Sequence, residues 1–297
     1  VETAVSLVPT VTVRSNAFDP SQTNGSVLCV EIGRDRFRFL VQNTRRQVCM
    51  LEDYTFPSLL NDRSLTGLLP DLIREHPVLS ARPWQDIRVA VNSSAFTLVP
   101  ASLFRKEYAG SYLTLMRGGD LLPHDFAQFC THHDEGFLSV FSLEHPVADF
   151  LAEMYPLQPI TFVHQTDGLL WATASLSRFA FAPNQVWLYF EDEFVTIVYR
   201  YQQTLRYCNR FGYRNGQDLT YYVLYVLDEL KLLPETTAVN LYGEITPFAD
   251  TYTELGRFLP NLTFGSVPPN LNATAEFAEL PDHRYLALYG LSLMSEL

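Results

Sequence analysis

The sequence predicts an α/β fold built twice over, as two lobes that each open a mixed sheet with a three-stranded antiparallel meander. Three observations carry this. Strand-like runs at about 27–32, 36–41 and 46–54 are separated only by the short polar turns 33–35 and 42–45, the pattern of consecutive hairpins. Near Pro183 the pattern restarts, with QVWLYF, FVTIVYR and TLRYCNRF following one another in the same way. Laid over each other, RDRFRFLVQNTRRQV (34–48) falls on EDEFVTIVYRYQQTL (191–205) without a gap, and internal repetition on this scale bears on the whole architecture.

The first meander shows the two-residue period most clearly in its second strand. Phe37, Phe39 and Val41 share one side there, Arg36, Arg38 and Leu40 the other, so one buried face is expected. A helix is expected over 64–75, with Leu65, Leu68, Leu69, Leu72 and Ile73 as its apolar stripe, and then a strand over 87–91. The stretch 101–117 reads as a helix broken by Gly118 and Gly119. FLSVFSL, HPVADFLAEMYP, ITFVH and DGLLWATASLS then alternate strand, helix, strand, helix, the mark of layered α/β structure. In the second half a helix over 217–233 carries Leu219, Tyr222, Val223, Val226, Leu227 and Leu230 at helical spacing. The strand VNLYGEI follows it, and AVNLYGE (238–244) resembles AVNSSAF (90–96). The expected division is a first lobe over 1–182, with an inserted α/β segment at about 101–180, and a second over 183–297. The last helix, 284–294, is expected to pack back on the first lobe.

Composition narrows the function. The 297 residues carry 33 acids against 21 Lys and Arg, a formal net charge of −12. Nucleic acid and anionic membrane surfaces both need clustered cations, so neither is an expected partner. No apolar run approaches the ~20 residues that cross a bilayer. The opening VETAVSLVPTVTV has neither the basic head nor the continuous apolar core of a signal peptide, so the expected location is the cytoplasm. Cys29, Cys49, Cys130 and Cys208 form no CxxC pair, and three of them sit in expected strands, where they read as small core residues.

Two successive meanders, each followed by a helix and a further strand, resemble the actin-like ATPase superfamily, whose core is RNase H-like and which includes sugar kinases, heat-shock chaperones, actin and pilus assembly protein M. The string LRYCNRFGYRNGQDLTYYV is similar to the part of the pilus assembly protein where a strand runs through a Gly-containing turn into a helix. The whole chain is similar to a bacterial domain-of-unknown-function family with this fold. The resemblance implies a nucleotide cleft in which each hairpin carries Asp-x-Gly, the first followed by small hydroxylated residues. A carboxylate there holds Mg²⁺, and glycine lets backbone N–H groups approach phosphate.

By that resemblance Glu31, Gly33, Gly216 and Gly243 are the remnant of such a cleft. The first hairpin departs from the pattern, because Arg34, Asp35 and Arg36 replace the small residues. The second departs further, setting Glu191, Asp192 and Glu193 side by side with no glycine. Like charges there repel polyphosphate by about 1 kcal/mol per pair even at high dielectric, and neighbouring strand residues alternate faces, so the three do not converge on one cation. The expected role is therefore a non-catalytic scaffold or protein-interaction module with no cofactor. The alternative is an ATP-dependent phosphotransferase or ATPase with Glu31 on the metal side, for which ATP and Mg²⁺ are the cofactors. An RNase H-like nuclease is disfavoured by the acidic balance. Similarity to the pilus protein also implies a peptide of a membrane-anchored protein as partner.

His132, His133, Asp134 and Glu135 have the donor types of a metal site, but adjacent His on a helix point about 100° apart and no third ligand lies at a useful spacing, so no metal is expected. GxSxG, HExxH and GxxxxGK[ST] do not occur. Tyr221, Tyr222 and Tyr225 cluster on the long helix, Tyr222 on its apolar stripe and the others beside it; core and rim packing explains them without a partner.

Overall fold

In a computed structural model, residues 8–56, 65–191 and 194–294 are described. They form two compact units: one runs to Gly168 and takes in Asn272–Ala278, the other comprises Leu169–Leu271 and the residues from Glu279.

The first unit is built on a seven-stranded sheet. Its meander is β2 (Val27–Ile32), β3 (Arg36–Gln42) and β4 (Gln47–Thr55), to whose outer edge β1 (Val11–Arg14) adds antiparallel. Helix α1 (Leu65–Glu75) leads into β5 (Asp86–Val91), which pairs parallel with β2. Its stripe residues Leu68, Leu69, Leu72 and Ile73 are buried in the core with Phe37, Phe39 and Tyr54; Ser64 and the side chain of Leu65 lie outside the described residues. The expectation of a single buried face on β3 is corrected, because six of its seven residues are buried, Arg38 and Leu40 among them. β3 lies inside the sheet between β2 and β4, and the side opposite the aromatic residues is covered as well.

The insertion begins with β6 (Phe96–Pro100) and α2 (Ala109–Arg117), followed by β7 (Asp125–His132) and β8 (Phe137–Glu144). The helix expected from residue 101 starts eight residues later, after a turn on Pro100 and a short 3₁₀ segment, Lys106–Tyr108. It ends at Gly118, whose φ of +70° is the left-handed cap that glycine adopts without strain. β6, β8 and β7 form a separate antiparallel sheet with its own small core of Ala95, Val99, Ala109, Leu113 and Val140. The strand FLSVFSL, part of the expected insertion, is the centre of this second sheet. Helix α3 (His145–Met154), β9 (Ile160–His164) and α4 (Gln165–Arg178) return the chain to the main sheet, where β9 pairs parallel with β5.

The second unit carries the order β12-β11-β10-β13-β14, from β10 (Asn184–Phe190), β11 (Phe194–Tyr201), β12 (Thr204–Gly212), β13 (Ala238–Gly243) and β14 (Leu262–Phe264). In the first unit β4-β3-β2-β5-β9 runs in the same order, an antiparallel meander and then two parallel strands. The ungapped overlay that joins the two halves carries Gln47–Thr55 onto Thr204–Gly212, but the first hairpins match one residue out of that register, the Ile32–Phe37 pair corresponding to Phe190–Val195. The AVN strings do not share this register, since Ala90 and Val91 end β5 whereas Ala238 begins β13. Helix α5 (Gly216–Glu229) buries Leu219, Val223, Val226 and Leu227, each contributing about 1.5–3 kcal/mol by removal from water. α6 (Asp250–Gly256) and α7 (Leu286–Leu293) complete this unit, and all of α7 is buried. Two residues, Asn272–Ala273, form β15, a short parallel addition to β4 in the first unit.

Candidate functional site

The first hairpin tip is a tight turn. The Gly33 N–H donates to the Arg36 carbonyl at 2.8 Å, closing the connection between β2 and β3. Glu31 stands two residues before it on β2, buried, opposite Arg38 of β3, which is in turn opposite Asp53 of β4. Three charged side chains therefore lie in one row across the meander. Arg38 Nη1 donates to Glu31 Oε1 at 3.1 Å, and its Nε is 3.2 Å from Asp53 Oδ1, an ion pair more than an aligned hydrogen bond. The side chains of all three are at most 5% exposed, and buried charges need such compensation to be tolerated. Neither Arg38 nor Asp53 stood out in the sequence as a partner of Glu31; the two-residue period put Arg38 on the opposite side from the aromatics, and the meander register completes the row.

The second hairpin repeats the turn. Glu191 N–H donates to the Phe194 carbonyl at 2.9 Å, so Glu191 occupies the place of Gly33. Its carboxylate is 3.5 Å from Arg210 Nη2, and that guanidinium lies over the Phe194 ring at 4.2 Å. Desolvation lowers the Arg210 pKa while Glu191 opposes the shift. Asp192 and Glu193 lie outside the described residues.

Gly216 and Gly243 belong to the second unit and Glu31 and Gly33 to the first. Gly216 is the first residue of α5. Asn215 caps that helix by accepting from the Asp218 N–H at 2.9 Å, and Asp218 Oδ2 accepts from the Arg214 N–H at 3.3 Å. The helix start thus already has an acceptor and a carboxylate of its own. A shallow groove of about 630 Å³ lies beside it, lined by Gly212, Tyr213, Arg214, Asp218 and Tyr222. Tyr222 stacks on Phe211 at 5.2 Å, whereas Tyr221 and Tyr225 are exposed and face each other at 6.1 Å.

Gly243 ends β13 with a φ of +84°, donating its N–H to the His283 carbonyl. A Cβ there would sit 2.2 Å from the Phe190 carbonyl oxygen. Only glycine fits this close approach to β10.

The His132–Glu135 stretch is not an α-helix. His132 closes β7, and His133–Glu135 form a 3₁₀ turn ended by Gly136 at φ +73°. The buried His132 points to a partner far along the chain, Asp167, which no local spacing could reveal.

A family model described as "Protein of unknown function (DUF3822)" matches residues 15–262. The chain belongs to this family. No curated protein sequence matches it. Among solved structures, this DUF3822 chain is similar to a Bacteroides thetaiotaomicron protein with actin-like ATPase fold and unknown function, at 18% identity and a TM-score of 0.77, over 93% of this chain and 99% of that one. It is also similar to the chain solved in a PilM–PilN type IV pilus biogenesis complex, at 15% identity and a TM-score of 0.63, over 90% of this chain and 98% of that one. The DUF3822 chain has the actin-like ATPase fold, in agreement with the duplicated strand order. Among the described residues, no helix is long and apolar enough to cross a membrane.

Proposed function

We propose that this chain is a cytoplasmic, non-catalytic scaffold or protein-interaction module that keeps the actin-like architecture without its nucleotide chemistry. One observation carries the reading: the groups standing where the resemblance implies metal and phosphate contacts are engaged within the protein. Glu31 is paired with Arg38, and the Gly33 N–H is bonded to Arg36. The residues do not fit Mg²⁺-ATP. A carboxylate neutralised by a buried guanidinium is a poor ligand for a hard cation, which draws its affinity from anionic oxygens, and a phosphate cradle needs backbone donors aimed outward. The equivalent N–H of the second hairpin, that of Glu191, is engaged in the same way.

Titration calorimetry with Mg²⁺-ATP tests this. No heat of binding is expected from the wild-type protein, whereas a micromolar isotherm that Glu31→Gln abolishes, with turnover, would replace the proposal by the phosphotransferase reading.

We extend the proposal to a peptide of a membrane-anchored protein as partner. The similarity to a PilM solved with PilN supports this, as does a set of exposed apolar residues around α2, with Leu103, Tyr108, Leu115, Met116 and Leu122 in solvent. A photo-crosslinking residue at position 115 should trap a membrane-fraction protein in the native cell. A trap confined to the soluble fraction would remove the membrane-anchored part of the proposal.

A further inference from the structure

Cys130 and His132 are two residues apart on β7 and so face the same side of the insertion sheet. Across the ladder on that side stand Ser139, opposite Cys130, and Phe137, opposite His132. The third component comes from the first turn of α4. Asp167, fully buried, holds its Oδ2 with the Ser139 hydroxyl at 2.9 Å and the His164 N–H at 2.8 Å, while its Oδ1 faces His132 Nε2 at 2.8 Å. His164 is itself fixed, because its Nδ1 accepts from the Thr166 N–H, which leaves Nε2–H to donate to the Ser93 carbonyl. The His132 ring is stacked on Phe137 at 4.6 Å. One sulfur, one imidazole nitrogen and one carboxylate oxygen thereby lie within 4.8 Å of one another.

We propose that Cys130, His132 and Asp167 form a site for a zinc-class divalent cation, which fastens the insertion sheet to the start of α4 within the first unit. The donor set is that of a zinc-class ion rather than of Mg²⁺ or Ca²⁺, which take oxygen ligands. Ligands at zinc distances in a tetrahedron stand about 3.4–3.6 Å apart, so the pair at 2.8 Å opens slightly and the thiol closes in. The hydrogen bonds on Oδ2 and the stacked imidazole are the supports that position metal ligands from behind. They leave Oδ1 and Nε2 facing each other, where the ion replaces a shared proton. Three protein ligands leave a fourth position for water beside Cys130, the partly exposed member of the set.

Binding has a proton balance. A neutral His132 ligates through the Nε2 lone pair, its ring proton then residing on Nδ1. The Cys130 S–H bond breaks, the thiolate sulfur bonds the cation, and one proton goes to solvent.

The experiment is titration of the tag-free full chain, stripped with chelator, by Co²⁺ and then Zn²⁺. Expected are one equivalent of Co²⁺, a tetrahedral visible spectrum, a near-ultraviolet sulfur-to-cobalt charge-transfer band, displacement by Zn²⁺ and release of one proton. Cys130→Ser should remove the charge-transfer band, and Cys208→Ser should leave it intact. The wild-type titration decides the matter even if Cys130→Ser fails to fold. Absence of stoichiometric Co²⁺ binding at micromolar concentration, or a charge-transfer band that survives in folded Cys130→Ser, would overturn the assignment.

Discussion

Replacing Arg38 by Met tests the charged row directly. The guanidinium stands 3.1 Å from Glu31 Oε1 and 3.2 Å from Asp53 Oδ1, with side-chain exposures of 2%, 5% and 0% for Arg38, Glu31 and Asp53. At an effective dielectric of about 20, each contact at ~4 Å or less corresponds to roughly 4 kcal/mol of attraction, set against the cost of desolvating the charges. The variant keeps the methylene packing and leaves two buried carboxylates without their cation, so the loss is expected at about 3–5 kcal/mol. Whole-domain stabilities run to ~5–15 kcal/mol, so a large share of the first unit's stability is at stake. The assay is urea unfolding followed by the fluorescence of Trp84, a buried residue of the first unit, in a Trp171→Phe/Trp187→Phe background. The triple variant Glu31→Leu/Arg38→Met/Asp53→Leu should recover to within about 2 kcal/mol of the parent, because an apolar replacement avoids the desolvation cost. A loss below about 1 kcal/mol for Arg38→Met alone would refute the reasoning, and with it the claim that Glu31 is held by a structural partner.

Gly243→Ala should cost the second unit about 3 kcal/mol or more: about 1–2 kcal/mol for a side chain at positive φ, and the rest for a Cβ that meets a backbone oxygen at 2.2 Å. The Trp187 unfolding curve reads it, and an unshifted midpoint would contradict the geometry. Gly216→Ala should be neutral or stabilising by up to about 1 kcal/mol, since its Cβ would find ordinary contact, 3.6 Å from the Glu254 Cβ, at a helical position; a large loss would mean the glycine has another task. Burial pushes the Cys29 and Cys49 thiols up to about 12 from 9.0. Their unfolded forms ionise first, so the stability they contribute is complete below pH 9 and is lost as pH rises toward 12, at roughly 1.4 kcal/mol per pH unit for each thiol. Denaturant midpoints between pH 8 and 10.5 should fall accordingly, and native protein at pH 8 should leave both thiols unalkylated by iodoacetamide; rapid alkylation would show that they are not buried.

The meanders were legible because their turns are short and polar and their strands alternate or run apolar, and the long helix because Leu219, Val223, Val226 and Leu227 recur at its period. β7 was missed, since DFAQFCTH leaves seven of its eight residues half-buried and mixes polar with apolar without a clean period. Without that strand the shared face of Cys130 and His132 could not be read, and the pairing with Asp167 was out of reach because it joins residues 35 apart across two elements. Glu31, Gly33, Gly216 and Gly243 were found as residue types. What each does depends on partners that spacing does not report: Arg38 across the hairpin from Glu31, Asn215 beside the helix start, and Phe190 beneath Gly243.

The row of Glu31, Arg38 and Asp53 also has a bearing on how the first meander finds its alignment. Slipping β3 by one residue would turn Arg38 toward the side held by Phe37 and Phe39 and swing an aromatic ring between two carboxylates. Apolar strands tolerate such slips far better, because one branched or aromatic side chain substitutes for another at modest cost. The three charges act as a key cut into an otherwise apolar lock, admitting a single pairing of the strands and rejecting its nearest neighbours on either side.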